Sequence, residues 1–277
     1  MIIMIRQRLI TAAILIPLVL FGILLLQTKT LEWFIALVTV LAAWEWFGII
    51  GVHDVTKRLI WVSGLCLLST VSLEYLSIGF MVSGASILWL LAAAVLMKYG
   101  KDGLPSHLSS LFRQTGFGIA SAVILLASFW VAAVALHDSL IGPQQLLYLL
   151  VSVWLADTGG YFVGKKLGKR ALAKAVSPNK TWEGVWGALG LATVWAIIAF
   201  EMGIGGSLSL QTWLVLTLIS VSMSIVGDLF ESLFKRSYNI KDSGNLLPGH
   251  GGVLDRIDSL IAALPIFVAG LIITGGL

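Results

Sequence analysis

The sequence predicts an all-α fold: a polytopic helical bundle set in a membrane, with about nine spanning helices and a cytoplasmic N-terminus. Three observations carry that prediction. Apolar residues make up 58% of the 277 and charged residues only 12%, and the mean hydropathy is +0.97. A soluble domain carries about a quarter charged residues. Apolar segments recur along the whole chain, and about 20 apolar residues suffice to cross a hydrocarbon core about 30 Å thick. Lysine and arginine, finally, fall almost entirely on one side of the topology those segments define.

The elements follow in order. Arg6 and Arg8 precede the apolar run 9–27. The run is long and no small-residue cleavage site follows it, so it reads as a retained first helix and not a signal peptide. Further spans are predicted at 31–51, 59–77, 78–98, 116–136, 144–164, 182–200, 208–230 and 258–276. The turn near Ser77–Gly79 is short and uncharged, so 59–98 is either one hairpin or a broken pair. With the N-terminus inside and the spans alternating, 17 of the 18 basic residues lie on the cytoplasmic side, and only Lys29 falls outside. That topology accounts for much of the net charge of +4, with no need for a nucleic-acid partner. The chain divides into 1–115, with about four membrane helices, and 116–277, which holds the cytoplasmic loops 164–181 and 231–257 and the chemistry. No repeat relates the halves, which counts against an inverted-repeat transporter. The single cysteine, Cys66, lies in an apolar segment and reads as a core residue. The tryptophans, at span ends or within spans, read as aromatic belts and lipid packing.

Acidic residues in or near spans need a reason, because burying charge in hydrocarbon is costly. Asp157, Asp228, Glu45 and Glu74 stand out. Glu45 reads as a structural hydrogen-bonded carboxylate and Glu74 as interfacial. Asp228, Glu231, Ser232 and Lys235 share one helical face by their spacing. Asp255 and Asp258, three apart, open the last span. Two helix ends thus bring Asp228, Asp255 and Asp258 together at the cytoplasmic surface. Hard oxygen ligands beside phosphate suit Mg²⁺, and Lys235, Arg236, Lys241 and Arg256 suit phosphate groups. The bland alternative is a positive-inside loop, which does not need three aspartates. Gly249, Gly251 and Gly252 permit either a close backbone approach or a turn. The run from Gly159 to Lys166 nearly fits a phosphate-binding loop, but a membrane helix precedes it where such a loop needs a strand. Gly160, Gly164 and Gly168, four apart, read instead as a packing stripe.

The run from Ser232 through Lys235-Arg236, Lys241-Asp242 and Pro248-Gly249-His250-Gly251-Gly252 to Asp255-Arg256-Ile257-Asp258 resembles the signature of the phosphatidate cytidylyltransferases, the CDP-diacylglycerol synthases. The runs from Asp157 to Tyr161 and from Ser177 to Gly184 also resemble segments of that family, which often has lysine where Asn179 stands. The resemblance is specific from about 150 to 260. It implies that CTP and phosphatidic acid are converted to CDP-diacylglycerol and pyrophosphate with Mg²⁺, at the cytoplasmic face of a bacterial inner membrane. It further implies a homodimer and an active site that can take a second cation, monovalent or divalent. Asp228 and Asp255 then lead as metal ligands, with Asp258 third. Lys235, Arg236, Lys241 and Arg256 bind phosphates, Ser232 donates to one, and Asp242 belongs to the same motif. His250 orients an aspartate, touches a phosphate or is an ordinary loop residue. Asp157 joins as a metal-site carboxylate or as partner to a lysine. Ser177, Asn179, Lys180 and Thr181 form a second wall for the nucleotide.

Three rivals are weighed against this. CDP-alcohol phosphotransferases need a glycine after the second aspartate, where this chain has Ser259. A CTP-dependent polyprenol kinase would act on another lipid. A transporter would put its charges near the bilayer midplane, whereas here they crowd the cytoplasmic ends.

Overall fold

The computed structural model describes residues 2–246, 249 and 251–277, and for 2–10 and 12 the backbone alone. Ten helices and one small sheet run in the order α1 (Ile2–Leu25), α2 (Thr28–Ile49), α3 (Val55–Glu74), α4 (Ile78–Tyr99), α5 (Ser106–Phe112), α6 (Thr115–His137), α7 (Gly142–Leu167), β1 (Ala171–Ala173), β2 (Ser177–Thr181), α8 (Trp182–Glu201), α9 (Leu210–Ser237) and α10 (Leu254–Thr274). Among the described residues seven helices, α2, α4 and α6 to α10, are long and apolar enough to cross a membrane. The other two predicted segments are also helical. α1 carries a described apolar stretch of Ala13–Leu25. In α3, Lys57, Arg58, Glu74 and several serines and threonines dilute the apolar character.

One feature departs from the prediction, and a second decides between two alternatives left open there. The loop 164–181 is not irregular: α7 runs on to Leu167, and Ala171–Ala173 pairs antiparallel with Ser177–Thr181. The fold is therefore helical with one β-hairpin. Segment 59–98 is a broken pair, since α3 packs on α6 while α4 packs on α10, α6 and α9.

Among the described residues, three helix starts, those of α3, α8 and α9, carry a side-chain cap. Asp54 accepts the N–H of Lys57, Thr181 that of Gly184 and Ser209 that of Thr212. Each satisfies one of the donors that a helix N-terminus leaves unpaired. α10 begins at Val253 without a side-chain cap of its own.

Packing fixes the rotation of α9. Phe230 and Phe234 on one side of it meet Trp89, Phe112, Phe117 and Trp46, with ring centroids 5.0–6.0 Å apart. The opposite face carries Asp228, Glu231 and Lys235. Residues on both sides of position 115 contribute to this one buried cluster. Trp46, Trp89, Trp130 and Trp213 are buried in it, so these four are core and not belt. α7 and α8 touch through glycine: a Cβ on Gly159 would sit 2.6 Å from the Gly187 carbonyl, and one on Gly184 would sit 2.9 Å from that of Gly160. Gly159, Gly160 and Gly164 thus lie in a helix that needs them for close packing, and no phosphate-binding loop forms there.

Candidate active site

Five elements deliver polar side chains to one end of the bundle: the C-terminal halves of α2, α7 and α9, the strand β2 and the N-terminus of α10. Lys180 of β2 puts its Nζ 2.5 Å from Asp228 Oδ2 of α9. Ser232, one turn on, lies 3.4 Å from the other oxygen of Asp228. Asp157 of α7 lies within charge–charge reach of Lys180, Asp228 and Arg256. Asp258 of α10 interacts in the same way with Asp228, Glu231 and Lys180. α9 and α10 approach closely enough for this because position 227 is glycine; a Cβ there would fall 2.5 Å from the Asp258 carbonyl oxygen.

Lys235 sits deeper. Its ammonium bridges Glu231 Oε2 at 2.6 Å and Asp255 Oδ1 at 2.7 Å. Asp255 is fully engaged. Besides Lys235, it accepts the Ser243 N–H at 3.1 Å, the Ser243 hydroxyl at 2.9 Å and the Gly252 N–H at 2.8 Å. Those bonds tie the loop 241–253 to the first turn of α10. The expectation for Asp255 was metal ligation; here both its oxygens are occupied by protein donors. Glu231, by contrast, keeps Oε1 buried with no hydrogen-bond partner among the described residues.

A further buried participant comes from the first half of the chain. Glu45 of α2 accepts the Val253 N–H at 3.1 Å, the Leu254 N–H at 2.8 Å and the Ser243 hydroxyl at 3.0 Å. It supplies the cap that α10 lacks, and a carboxylate at a helix N-terminus also meets the positive end of the helix dipole. The glycines of the loop answer to this arrangement. A Cβ on Gly252 would run into the Ser243 hydroxyl and the Glu45 carboxylate, and one on Gly244 would fall 2.6 Å from Glu45 Oε1. Gly251 has φ of +82° and would put a Cβ 2.6 Å from Asp255 Oδ2. Backbone freedom and lack of bulk are both required there.

The remaining predicted residues are placed as follows. Thr181 caps α8 through its hydroxyl. Ser177 is half-buried and Asn179 exposed, both on β2. Lys241, Asp242 and Arg256 are exposed, and of these Arg256 lies within charge–charge reach of Asp157. Arg236 turns away from it: its guanidinium donates to the Ile240 carbonyl at 3.3 Å and lines a separate pocket of about 150 Å³ with Arg113. His250 lies outside the described residues. Glu231, Ser243 and Glu183 join without having been singled out as site residues. Glu183 accepts the backbone N–H groups of Lys169 and Arg170 and the Arg170 Nε–H, clamping the hairpin to the start of α8. The signal for Glu231 was its i, i+4 spacing to Lys235.

Chemically, this is a cluster of carboxylates, Asp157, Asp228, Glu231 and Asp258, that outnumbers the lysines facing it. No three acidic, histidine or cysteine side chains among the described residues already form a closed ligand set. Mg²⁺ usually takes only one or two protein carboxylates and completes its shell with water and substrate phosphate. An uncompensated set of hard oxygens with a buried orphan acceptor fits an ion of that kind.

The comparisons with known proteins agree along nearly the whole chain. The model of the cytidylyltransferase family matches residues 6–273. The phosphatidate cytidylyltransferase of Pseudomonas aeruginosa is 40% identical over 268 residues, which is 96% of each chain. That of Haemophilus influenzae is 35% identical over 283 residues, covering 95% of this chain and 97% of its own. That of Bacillus subtilis is 40% identical over 161 residues, 56% of this chain and 57% of its own. A match from the first helix to the last takes in every residue of the cluster, and on that ground the chain belongs to the cytidylyltransferase family.

Proposed function

We propose that this protein transfers a cytidylyl group from CTP to phosphatidic acid, giving CDP-diacylglycerol and pyrophosphate for phospholipid synthesis. The observation that carries the reading is the convergence of Asp157, Lys180, Asp228 and Asp258 at one end of an apolar bundle. It occurs in a chain whose full-length relatives are named phosphatidate cytidylyltransferases. One substrate is soluble and the other cannot leave the bilayer, so the reaction belongs where headgroups and water meet.

A phosphate oxygen of phosphatidic acid attacks the α-phosphorus of CTP. A new phosphorus–oxygen bond forms, the bond from the α-phosphorus to the α–β bridging oxygen breaks, and pyrophosphate leaves. Phosphatidic acid is already ionised, so no activated base is needed. The work of the site is to hold two anions in line and to offset the charge that builds on the transferring group. Lys180 is the leading cation for that charge, with Arg256 and Lys241 at the mouth. Ser232 supplies a hydrogen bond. Asp228 and Asp258 are the carboxylates that would hold Mg²⁺, with Asp157 beside them. When bound, Mg²⁺ neutralises negative charge on the phosphate oxygens. Asp255, Lys235 and Glu45 act one layer back, by holding the loop. Ser177, Asn179 and Thr181 flank Lys180 on the nucleotide side.

We also read the chain as crossing the bacterial inner membrane nine times, N-terminus in the cytoplasm, and assembling as a homodimer. The one-sided distribution of lysine and arginine supports the orientation.

The test is incorporation of radiolabelled CTP into lipid by the purified protein with phosphatidic acid and Mg²⁺. Label in a CDP-lipid, absent with EDTA or with dATP in place of CTP, is the expected result. No incorporation by folded protein would overturn the reading.

A further inference from the structure

A groove of about 910 Å³ opens between α4, α8, α9 and the β-hairpin. Its walls are apolar: Met97 of α4, Trp186 of α8, and Ile225 and Leu229 of α9. From Leu229 to Ser222 it follows α9 for two turns, about 10 Å at 1.5 Å per residue. Its rim is cationic, carrying Lys101, Lys169 and Arg170, and no carboxylate lines it among the described residues. Glu183 engages only the Nε–H of the Arg170 guanidinium, so the outward N–H groups of Arg170 stay available to a ligand.

An apolar trough two helical turns deep, capped at its membrane–water end by three cations, matches one chemical class: an anionic glycerophospholipid with a compact phosphate headgroup. The groove also adjoins the proposed chemistry. β1 forms part of its wall, β2 carries Lys180, and neighbouring strands lie about 4.8 Å apart. Leu229, in the groove, directly follows Asp228, in the cluster. We propose that this groove holds phosphatidic acid: its acyl chains lie along α8 and α9, and its phosphate is gathered by Lys101, Lys169 and Arg170 beside the hairpin before transfer. The proposal rests on the function proposed above and assigns its lipid subsite.

The test compares wild type with Lys101→Glu/Lys169→Glu, which reverses the rim, and with Ala93→Trp, which fills the trough. Rates are measured against phosphatidic acid in mixed micelles and, separately, against CTP. Each variant is expected to raise the apparent KM for phosphatidic acid about tenfold, the scale of one lost charge-assisted contact. The KM for CTP stays within about twofold of wild type. Lys101→Arg/Lys169→Arg, which restores the positive charge, is expected to recover most of the lipid KM lost in the reversed pair, which separates charge from folding. An unchanged lipid KM in both variants overturns the proposal. So does a change in dimer content with Ala93→Trp at an unaltered lipid KM, which would give the groove to a second copy. Native mass spectrometry of the purified protein keeps the two readings apart. If wild type makes no CDP-lipid, the proposed function fails. Co-purification of phosphatidic acid with wild type, lost on rim reversal, would still support the groove, whereas retention on both variants would overturn it.

Discussion

The Glu45 carboxylate and the Leu254 backbone N–H meet at 2.8 Å, joining α2 to the first turn of α10 across 209 residues of sequence. The same carboxylate holds Ser243, which in turn holds Asp255. One side chain from the first half of the protein therefore sets the position of the loop and of the helix that carries Asp255 and Asp258.

Glu45→Gln should weaken this joint without unfolding the bundle. Gln offers one acceptor oxygen where two are used. The lost charge-assisted bonds cost about 1.5–3 kcal/mol each at most. The expected outcome is a lower thermal midpoint and at least about a tenfold fall in CDP-lipid formation. Thermal unfolding and label incorporation on the same preparation check both.

Gly252→Ala should be as harmful as a change at Glu45, because its Cβ has no room between the Ser243 hydroxyl and the Glu45 carboxylate. Gly84→Ala is the control, since nothing lies within 4 Å of a Cβ there, and alanine favours a helix by about 1 kcal/mol. Activity is expected to collapse in the first and persist in the second. Combining Gly252→Ala with Glu45→Gln should cost less than the sum of the two, because both disrupt one joint.

Asp255 and Asp258 should fail in different ways. Asp255→Asn weakens the bridge to Lys235, which keeps Glu231, and removes the charged acceptor that holds Ser243 and Gly252, at about 1.5–3 kcal/mol for each charge-assisted bond lost. Its main expected effect is on stability, with activity following. Asp258→Asn leaves that bridge intact and is expected to abolish Mg²⁺-dependent CTP binding at near-normal thermal stability. Calorimetric CTP titration with and without Mg²⁺, beside a melting curve, separates them. Equal melting points for the two variants would count against the division of roles.

Lys235→Met should be rescued in part by Glu231→Gln. Lysine 235 serves two carboxylates, so its loss strands both, and neutralising one relieves half of the problem. A double-mutant cycle on thermal stability is expected to show a coupling of about 0.5–3 kcal/mol.

Lys180 and Asp228 should be coupled in activity. Lys180→Met and Asp228→Asn are each expected to remove most CDP-lipid formation. The double variant should be no worse than the poorer single one, because the two side chains form a single contact. Initial rates at saturating CTP check this.

The apolar segments were legible in the sequence because length and hydropathy leave few choices for a chain crossing hydrocarbon. The shared face of Asp228, Glu231, Ser232 and Lys235 was legible too, since helical spacing is a local property. The hairpin at 171–181 was not, because a three-residue strand leaves no periodic pattern. Arg236 was grouped with Lys235 by adjacency, yet one residue along a helix rotates a side chain by about 100° and sends it to another pocket. The occupation of Asp255 and the capping role of Glu45 depend on partners from distant segments, so only the folded chain reveals them. Four tryptophans assigned to belts turned out to be core, because composition does not tell a lipid-facing ring from a helix-facing one.

The joint at Glu45 also has a consequence for biosynthesis. The ribosome delivers Glu45 about two hundred residues ahead of Ser243, Val253 and Leu254. Until α10 enters the membrane, that carboxylate sits in α2 without the donors that later bury it. A chain stalled before its last helix has a Glu45 carboxylate that lacks the Val253 and Leu254 donors. Catalytic competence and completion of insertion thus arrive in a single step.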